Sequence, residues 1–354
     1  MSLNRKFQLA GLGFALAFTL PSPGFGQTDG VRRLRIVGGL AGVNQYTRQE
    51  EPFWTQELAR LTGGKVTAEI VPFDRAGIRA QEMLRLMQLG VVPFGTALLG
   101  LTAAQEPSFA APDLAGLSPD MKVVRRATAA FRPFLEKTLR DRYGIELLAV
   151  YAYPAQVIFC NKPFGSLADL AGRRTRTSSP PQADLIEALG GVPVQTGFAE
   201  IMANMKSGNI ECAITGTMSG NTIGLPEVTT HIHTMAINWG LSIFGASTGA
   251  WNALSPELRT TLKQELPKLE NAIWSEAERE TGNGIACNIG SPACVDGRKF
   301  SMTEVKPAPT DDARRRAIFA NTVLARWVHR CGAQCAEVWN QTIAPVIGTE
   351  ARAK

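Results

Sequence analysis

Two stretches of this chain carry the same alternation of short strand and amphipathic helix, and no other feature constrains the fold as strongly. In the first, residues 34–37 read as a strand ending in Gly38-Gly39. Residues 52–61 put Trp54, Leu58 and Leu61 on one helical face, and Gly63-Gly64 stops it. Residues 65–71 alternate, with Val66, Ala68 and Ile70 on one side, which predicts a strand. Residues 81–89 gather Met83, Leu84 and Met87 on one helical face, with Gly90 as the stop signal and a strand at Val91-Val92 after it.

The second stretch repeats the rhythm. Residues 147–153 and 157–160 are strand-like. Ser166-Leu167-Ala168-Asp169 is a capping-box pattern before a one-turn helix ended by Gly172. Residues 173–177 predict a strand. Ser178-Ser179 then caps a helix over 181–189, with proline in its favoured first turn. A short strand over 192–194, a helix over 198–206 and a strand over 210–214 complete the unit. Such alternation predicts a largely parallel sheet with helices on its faces. Ser255-Pro256-Glu257 opens a long helix running towards Glu280, bent at Pro267. Another helix is expected over 311–330. No low-complexity linker separates the two units, so the fold class is α/β, with two lobes joined by several strand crossings.

Composition bounds the function. The chain has 354 residues, 45% of them apolar and 19% charged, which excludes a disordered chain or a charged coiled coil. The net charge of +6 comes from 37 dispersed Lys and Arg residues without a basic stripe interleaved with aromatics, so no nucleic-acid partner is expected.

The first residues read as an address. Asn4-Arg5-Lys6 is a short positive segment, residues 9–20 are an almost unbroken apolar run, and small residues precede a cleavage point near Gly26/Gln27. The run is too short for a membrane span, which needs about 20 apolar residues. Residues 1–26 are therefore expected to be a signal peptide, and the mature chain to be exported.

Export permits disulfides. Cys287 and Cys294 flank a loop that could close as a small ring. Cys331 and Cys335 could bond each other, bond the first pair, or remain buried thiols. Cys160 and Cys212 lie in apolar strand-like runs and are expected to be free core thiols. Neither spaced pair has the pattern that zinc requires, so no metal is expected.

Chemistry concentrates in residues 166–217. Arg176 lies near the carboxyl end of a predicted strand, with a helix N-terminus close behind. Ligands of open α/β sheets bind beyond the carboxyl ends of strands, helix N-termini favour anions, and an arginine fork matches a carboxylate. The alternative is a solvated strand arginine.

A family pattern runs through the same residues. Residues 166–176, Ser-Leu-Ala-Asp-Leu-Ala-Gly-Arg-Arg-Thr-Arg, resemble the "DLKGLKIR" signature of the solute-binding proteins of TRAP (tripartite ATP-independent periplasmic) transporters. Ala188-Leu189-Gly190-Gly191-Val192-Pro193-Val194 and Phe198-Ala199-Glu200-Ile201 resemble that family's "ALGAxPV…FxEvY". Leu61-Thr62-Gly63-Gly64-Lys65-Val66 and Gln88-Leu89-Gly90-Val91-Val92 are similar to its earlier segments. The resemblance covers roughly residues 34–270 in one consistent order. It implies a two-lobed periplasmic binding protein fold with a long interlobe helix. Residues 27–153 plus about 240–285 would form one lobe, and 154–239 plus about 286–354 the other. It implies a small organic-acid ligand, delivery to TRAP-type membrane permease subunits, and no cofactor or catalytic residue.

The resemblance gives Arg176 the role of carboxylate partner. The family's second arginine is missing: Ala155 or Gln156 occupies its place. One arginine suits a monocarboxylate, or an acid whose remainder is neutral. Further ligand candidates, by position, are Thr215, Asn221, Trp239, Asn44 and Gln156, with Gly38 and Gly39 beside the first strand. Residues 282–306 match nothing in the family pattern. Gly245-Ala246-Ser247-Thr248-Gly249 fits GxSxG, which allows an exported serine hydrolase using Ser247. That motif needs a helix directly after the serine, and the pattern predicts the next helix only at Ser255. His231 and His233 alternate in a strand-like run and read as structural. A receptor feeding a sensor in place of a permease is the remaining alternative.

Overall fold

The computed structural model describes residues 31–352, so the leader and its cleavage point lie outside the described residues. Eleven strands form two mixed sheets among these residues. In chain order they are β1 (Arg32–Gly38), β2 (Val66–Pro72), β3 (Phe94–Leu98), β4 (Ile145–Ala152), β5 (Gln156–Cys160), β6 (Arg174–Thr177), β7 (Val192–Gln195), β8 (Cys212–Gly216), β9 (His231–Asn238), β10 (Leu241–Ser247) and β11 (Thr303–Val305). The first sheet has the order β2-β1-β3-β10-β4 and the second β11-β9-β5-β8-β6-β7. β1 runs parallel to β2 and β3, and β6 runs parallel to β7 and β8, as the strand–helix alternation predicts. The antiparallel members, β10 in the first sheet and β5 in the second, are the strands nearest the crossings.

The chain crosses between the sheets three times. β4 leads into β5, β9 leads back into β10, and the helix Pro256–Asn288 packs on both β4 and the helix Thr217–Thr222. Ser255 caps that long helix, its Oγ accepting from Leu258 N at 3.2 Å. The helix runs through Pro267 and ends eight residues beyond Glu280. The helices over 324–347 do not stay with the second sheet. They pack on the helix Met121–Tyr143 and the turn Pro107–Asp113, whereas Phe319–Val323 packs on Pro180–Ala188.

Two expectations shift. The strand expected at Val91-Val92 is β3 instead, since Gly90 adopts φ +71° and Val91 is exposed, leaving Pro93 to lead into the ladder. The helix Met121–Tyr143 was not read from the sequence. Its signals are present: Asp120 accepts from Val123 N at 2.9 Å, and Gly144 closes the far end at φ +59°. The capping box is present, with Asp169 Oδ2 accepting from Ser166 N at 3.1 Å.

The free-thiol expectation for Cys160 and Cys212 is corrected. Antiparallel pairing of β5 with β8 puts the two residues directly opposite each other, and they form a disulfide with Cα atoms 4.1 Å apart. Cys287–Cys294 and Cys331–Cys335 form the other two bonds. The first closes the turn after the long helix. Asn221 fixes the following loop, accepting from Arg298 N at 3.0 Å and donating to Arg298 O at 2.8 Å. No helix among the described residues is long and apolar enough to cross a membrane.

Candidate ligand-binding site

A cavity of about 560 Å³ lies between the sheets and takes its lining from both of them and from the crossings. Leu98 at the end of β3 and Arg176 in β6 put it at the carboxyl ends of strands, where α/β sheets bind ligands. A larger hollow of about 1370 Å³ lies among the C-terminal helices. Of its arginines, Arg326 is paired with Asp184 and Glu187 and Arg352 is exposed, so the hollow holds no buried, unpaired cation of the kind Arg176 supplies.

Arg176 defines the chemistry. The residue is 4% exposed, and the acid whose field reaches it, Glu200, is itself exposed; the polar contacts of the guanidinium within the protein are to backbone carbonyls. Its Nε donates to Thr196 O at 3.1 Å and its Nη1 to Ile214 O at 2.6 Å. These two carbonyls orient the fork and leave Nη2 without a protein partner. Burial pulls the guanidinium down to about 10, opposed by the field of Glu200, so it remains charged at neutral pH. A buried, unpaired ion is unfavourable by several kcal/mol, and an anion in the cavity would relieve this. Thr196, which also lines the cavity, has an unpartnered hydroxyl. Behind the fork, Ser179 caps the helix Pro180–Ala188 and lines the same cavity.

Of the six residues singled out from sequence, the structure brings three together. Arg176, Gln156 and Thr215 line the cavity. Gln156 Nε2 donates to Pro154 O at 2.9 Å and to Trp239 O at 3.4 Å, tying together the two strand crossings. The other three lie outside the lining. Trp239 is packed in the core, with its indole N–H on Ser118 O at 3.2 Å. Asn221 is engaged with Asn288 and Arg298. Asn44 donates to Glu280 on the long helix. Gly39 also stays out of the lining: its N–H donates to the buried Glu50 at 3.0 Å, and a Cβ there would meet Glu50 Oε1 at 2.8 Å.

Sequence reasoning missed Tyr153 and Asn238, which line the cavity from the crossings, and Asp113, which lines it from the end of the turn Pro107–Asp113. Asp113 accepts from Trp239 N, Gly240 N and Asn238 Nδ2, each at 2.8 Å, and burial pushes its carboxyl up to about 6 against those three donors. An acid beside an apolar run, Phe109 to Leu114, was the available signal.

Ser247 needs a correction too. A short helix, Thr248–Asn252, starts directly after it, so the strand–turn–helix does exist. Ser247 Oγ caps this helix by accepting from Ala250 N at 3.3 Å. The residue sits at the far end of β10 from Leu241, roughly 20 Å along the strand from the cavity. His231 and His233 lie in β9 of the other sheet, and His329 in a C-terminal helix. His233 is fully buried against Asp311 at 3.4 Å.

Two sheets, a long shared helix and an interlobe cavity holding one unmatched cation define the two-lobed solute-receptor class. Residues 40–286 match the bacterial extracellular solute-binding protein family 7, and the chain belongs to that family. Among similar solved structures is DctP7 of Bordetella pertussis, an extracytoplasmic solute receptor binding pyroglutamic acid. It is 22% identical, covers 87% of this chain and 98% of its own, and has a TM-score of 0.77. A TRAP periplasmic solute-binding protein from Desulfovibrio salexigens with bound orotic acid is 16% identical over 89% of this chain and 99% of its own, at a TM-score of 0.78. One from Shewanella oneidensis with bound succinate is 18% identical over 87% and 98%, at 0.74.

Proposed function

We propose that this chain is the periplasmic receptor of a TRAP-type transporter, capturing a small organic acid between its lobes and delivering it to membrane permease subunits. The observation that carries this is Arg176: a buried guanidinium, aimed by two backbone carbonyls, on which the nearby Glu200 acts only through its field and with which no acid forms an ion pair. A carboxylate there completes the ion pair that the protein leaves open, with a charge-assisted contact of roughly 1.5–3 kcal/mol. A ligand touching both lobes favours the arrangement in which they are close, and this differential contact drives closure. Family membership and the acids bound by the similar receptors support the same reading.

Hydrolysis at Ser247 gains no support, because its hydroxyl caps a helix away from the cavity and the histidines lie elsewhere. The test is a thermal-shift screen of organic acids on the wild type and Arg176→Ala. A ligand raises stability by RT ln(1 + [L]/Kd). The wild type should shift with at least one acid and the variant with none. Equal shifts in both would refute the role of Arg176.

A further inference from the structure

The two sides of the cavity differ in chemistry. The second lobe supplies Arg176, Thr215, Ser178, Ser179 and the exposed Glu200; the first supplies mostly apolar groups, Leu40, Phe73, Leu98, Leu99 and Leu101 with Phe109 beside them, and Gln81 at the edge. Leu98 and Leu101 remain half-buried, so apolar surface is open to a ligand on that side. No second cation is available inside. Arg79 also lines the cavity, but its side chain is 79% exposed and paired with Glu82. The remaining buried charge is Asp113, an anion that already accepts three N–H donors.

We propose that the cavity selects a monocarboxylate with an apolar body, its carboxylate on Arg176 and its hydrocarbon against the Leu98–Leu101 wall, and that Asp113 rejects acids carrying a second carboxylate. This rests on the receptor reading above and narrows it. A second carboxylate would enter a region with apolar walls, a negative neighbour and no cation, and would lose its hydration without compensation. A polyhydroxylated acid can use the polar side, where Gln156, Asn238 and the unpartnered Tyr153 hydroxyl line the cavity, but its hydroxyls against the Leu98–Leu101 wall lack partners. A branched hydrocarbon gains by burial at about 25 cal/mol per Å².

Isothermal titration calorimetry with 4-methyl-2-oxopentanoate, succinate and D-gluconate tests this on the mature wild type, Leu101→Asn, Asp113→Asn and Arg176→Ala. The branched acid should bind at least tenfold more tightly than succinate or gluconate. Leu101→Asn should narrow that gap by tenfold or more, and circular dichroism checks that it is folded. Asp113→Asn should raise succinate affinity relative to the branched acid. Succinate or gluconate binding as tightly as the branched acid overturns the selectivity. If Arg176→Ala abolishes that binding, the receptor reading survives the loss. Failure of the branched acid to bind at all also overturns the proposal, and silence from all three acids counts against both readings.

Discussion

Arg176 in β6 donates from Nη1 to the carbonyl of Ile214 in the neighbouring strand β8, at 2.6 Å. The strand pairing, and not an acid, therefore aims the charge. This separates two effects that usually change together when an arginine is replaced. In a salt bridge, removing the cation strands a carboxylate and destabilises the fold. Here it removes an uncompensated buried ion, so Arg176→Met should leave the ligand-free melting temperature within a few degrees of wild type. Ligand affinity should fall by a factor of about 10 to 100. Arg176→Lys should recover only part of it, because an ammonium lacks the planar fork. Paired melts and titrations check this. A large ligand-free destabilisation by Arg176→Met would mean that the side chain is a structural tie.

The segment around Arg176 was legible because it depends on local chemistry. Capping box, strand, serine cap and proline-led helix follow within twenty residues, and each is set by neighbours in sequence. Position alone served the other candidates less well. Asn221, Trp239 and Asn44 follow strand ends as ligand residues often do, yet each is held by an element far along the chain: the loop at Arg298, the turn at Ser118 and the long helix at Glu280. The apolar half of the site was hidden for a different reason. Phe73, Leu98 and Leu101 look like core residues, and only the crossings bring them opposite Arg176.

Cys160 and Cys212 were misread because strand register, not spacing, decides their pairing. Their bond spans 52 residues, whereas Cys287–Cys294 spans 7. Chain entropy then predicts about 4 kcal/mol of stabilisation from the first and about 2.5 kcal/mol from the second. Unreduced protein denatured in guanidinium should show no reactive thiol. Cys160→Ala/Cys212→Ala should lower stability more than Cys287→Ala/Cys294→Ala, measured by denaturant unfolding. Two free thiols per chain in the unreduced protein would contradict the pairing.

Glu280 makes stability depend on pH. Burial pushes its carboxyl up to about 7, assisted by Glu276 and opposed by the Asn44 hydrogen bond and by Arg48 and Arg279. The folded protein holds this proton where the unfolded chain, near 4.5, has released it. The associated stability is complete below about 4.5 and is lost as pH rises through 7, on the order of 3 kcal/mol. Asp113, raised to about 6, acts in the same sense at lower pH. His233, lowered by burial, acts oppositely as pH falls below its ordinary 6.5. The informative quantity is therefore the difference between wild type and Glu280→Gln. The variant should gain on the wild type between pH 5.5 and pH 8, by several degrees in melting temperature. Parallel pH profiles would show that Glu280 does not titrate in this range.

The long helix meets the second lobe through a glycine. A Cβ on Gly284 would lie 2.5 Å from the carbonyl carbon of Thr217 and against Met218 N, both backbone atoms that cannot swing aside. The same contact is locked by Thr217 Oγ1 donating to Glu280 O at 3.1 Å and by Asn288 Nδ2 donating to Thr217 O at 2.9 Å. Gly284→Ala gains about 1 kcal/mol of helix propensity, but overpacking of this kind is unfavourable by about 1–3 kcal/mol, and backbone on the opposing side puts it at the upper end. A net loss of several degrees in melting temperature is expected. Gly282, two residues back and on the opposite face of the same helix, is exposed, with nothing within 4 Å of its added Cβ. Gly282→Ala should therefore stabilise by about 0.5–1 kcal/mol. Equal effects from the two substitutions would mean that the helix and the segment at Thr217 are not in close backbone contact in solution.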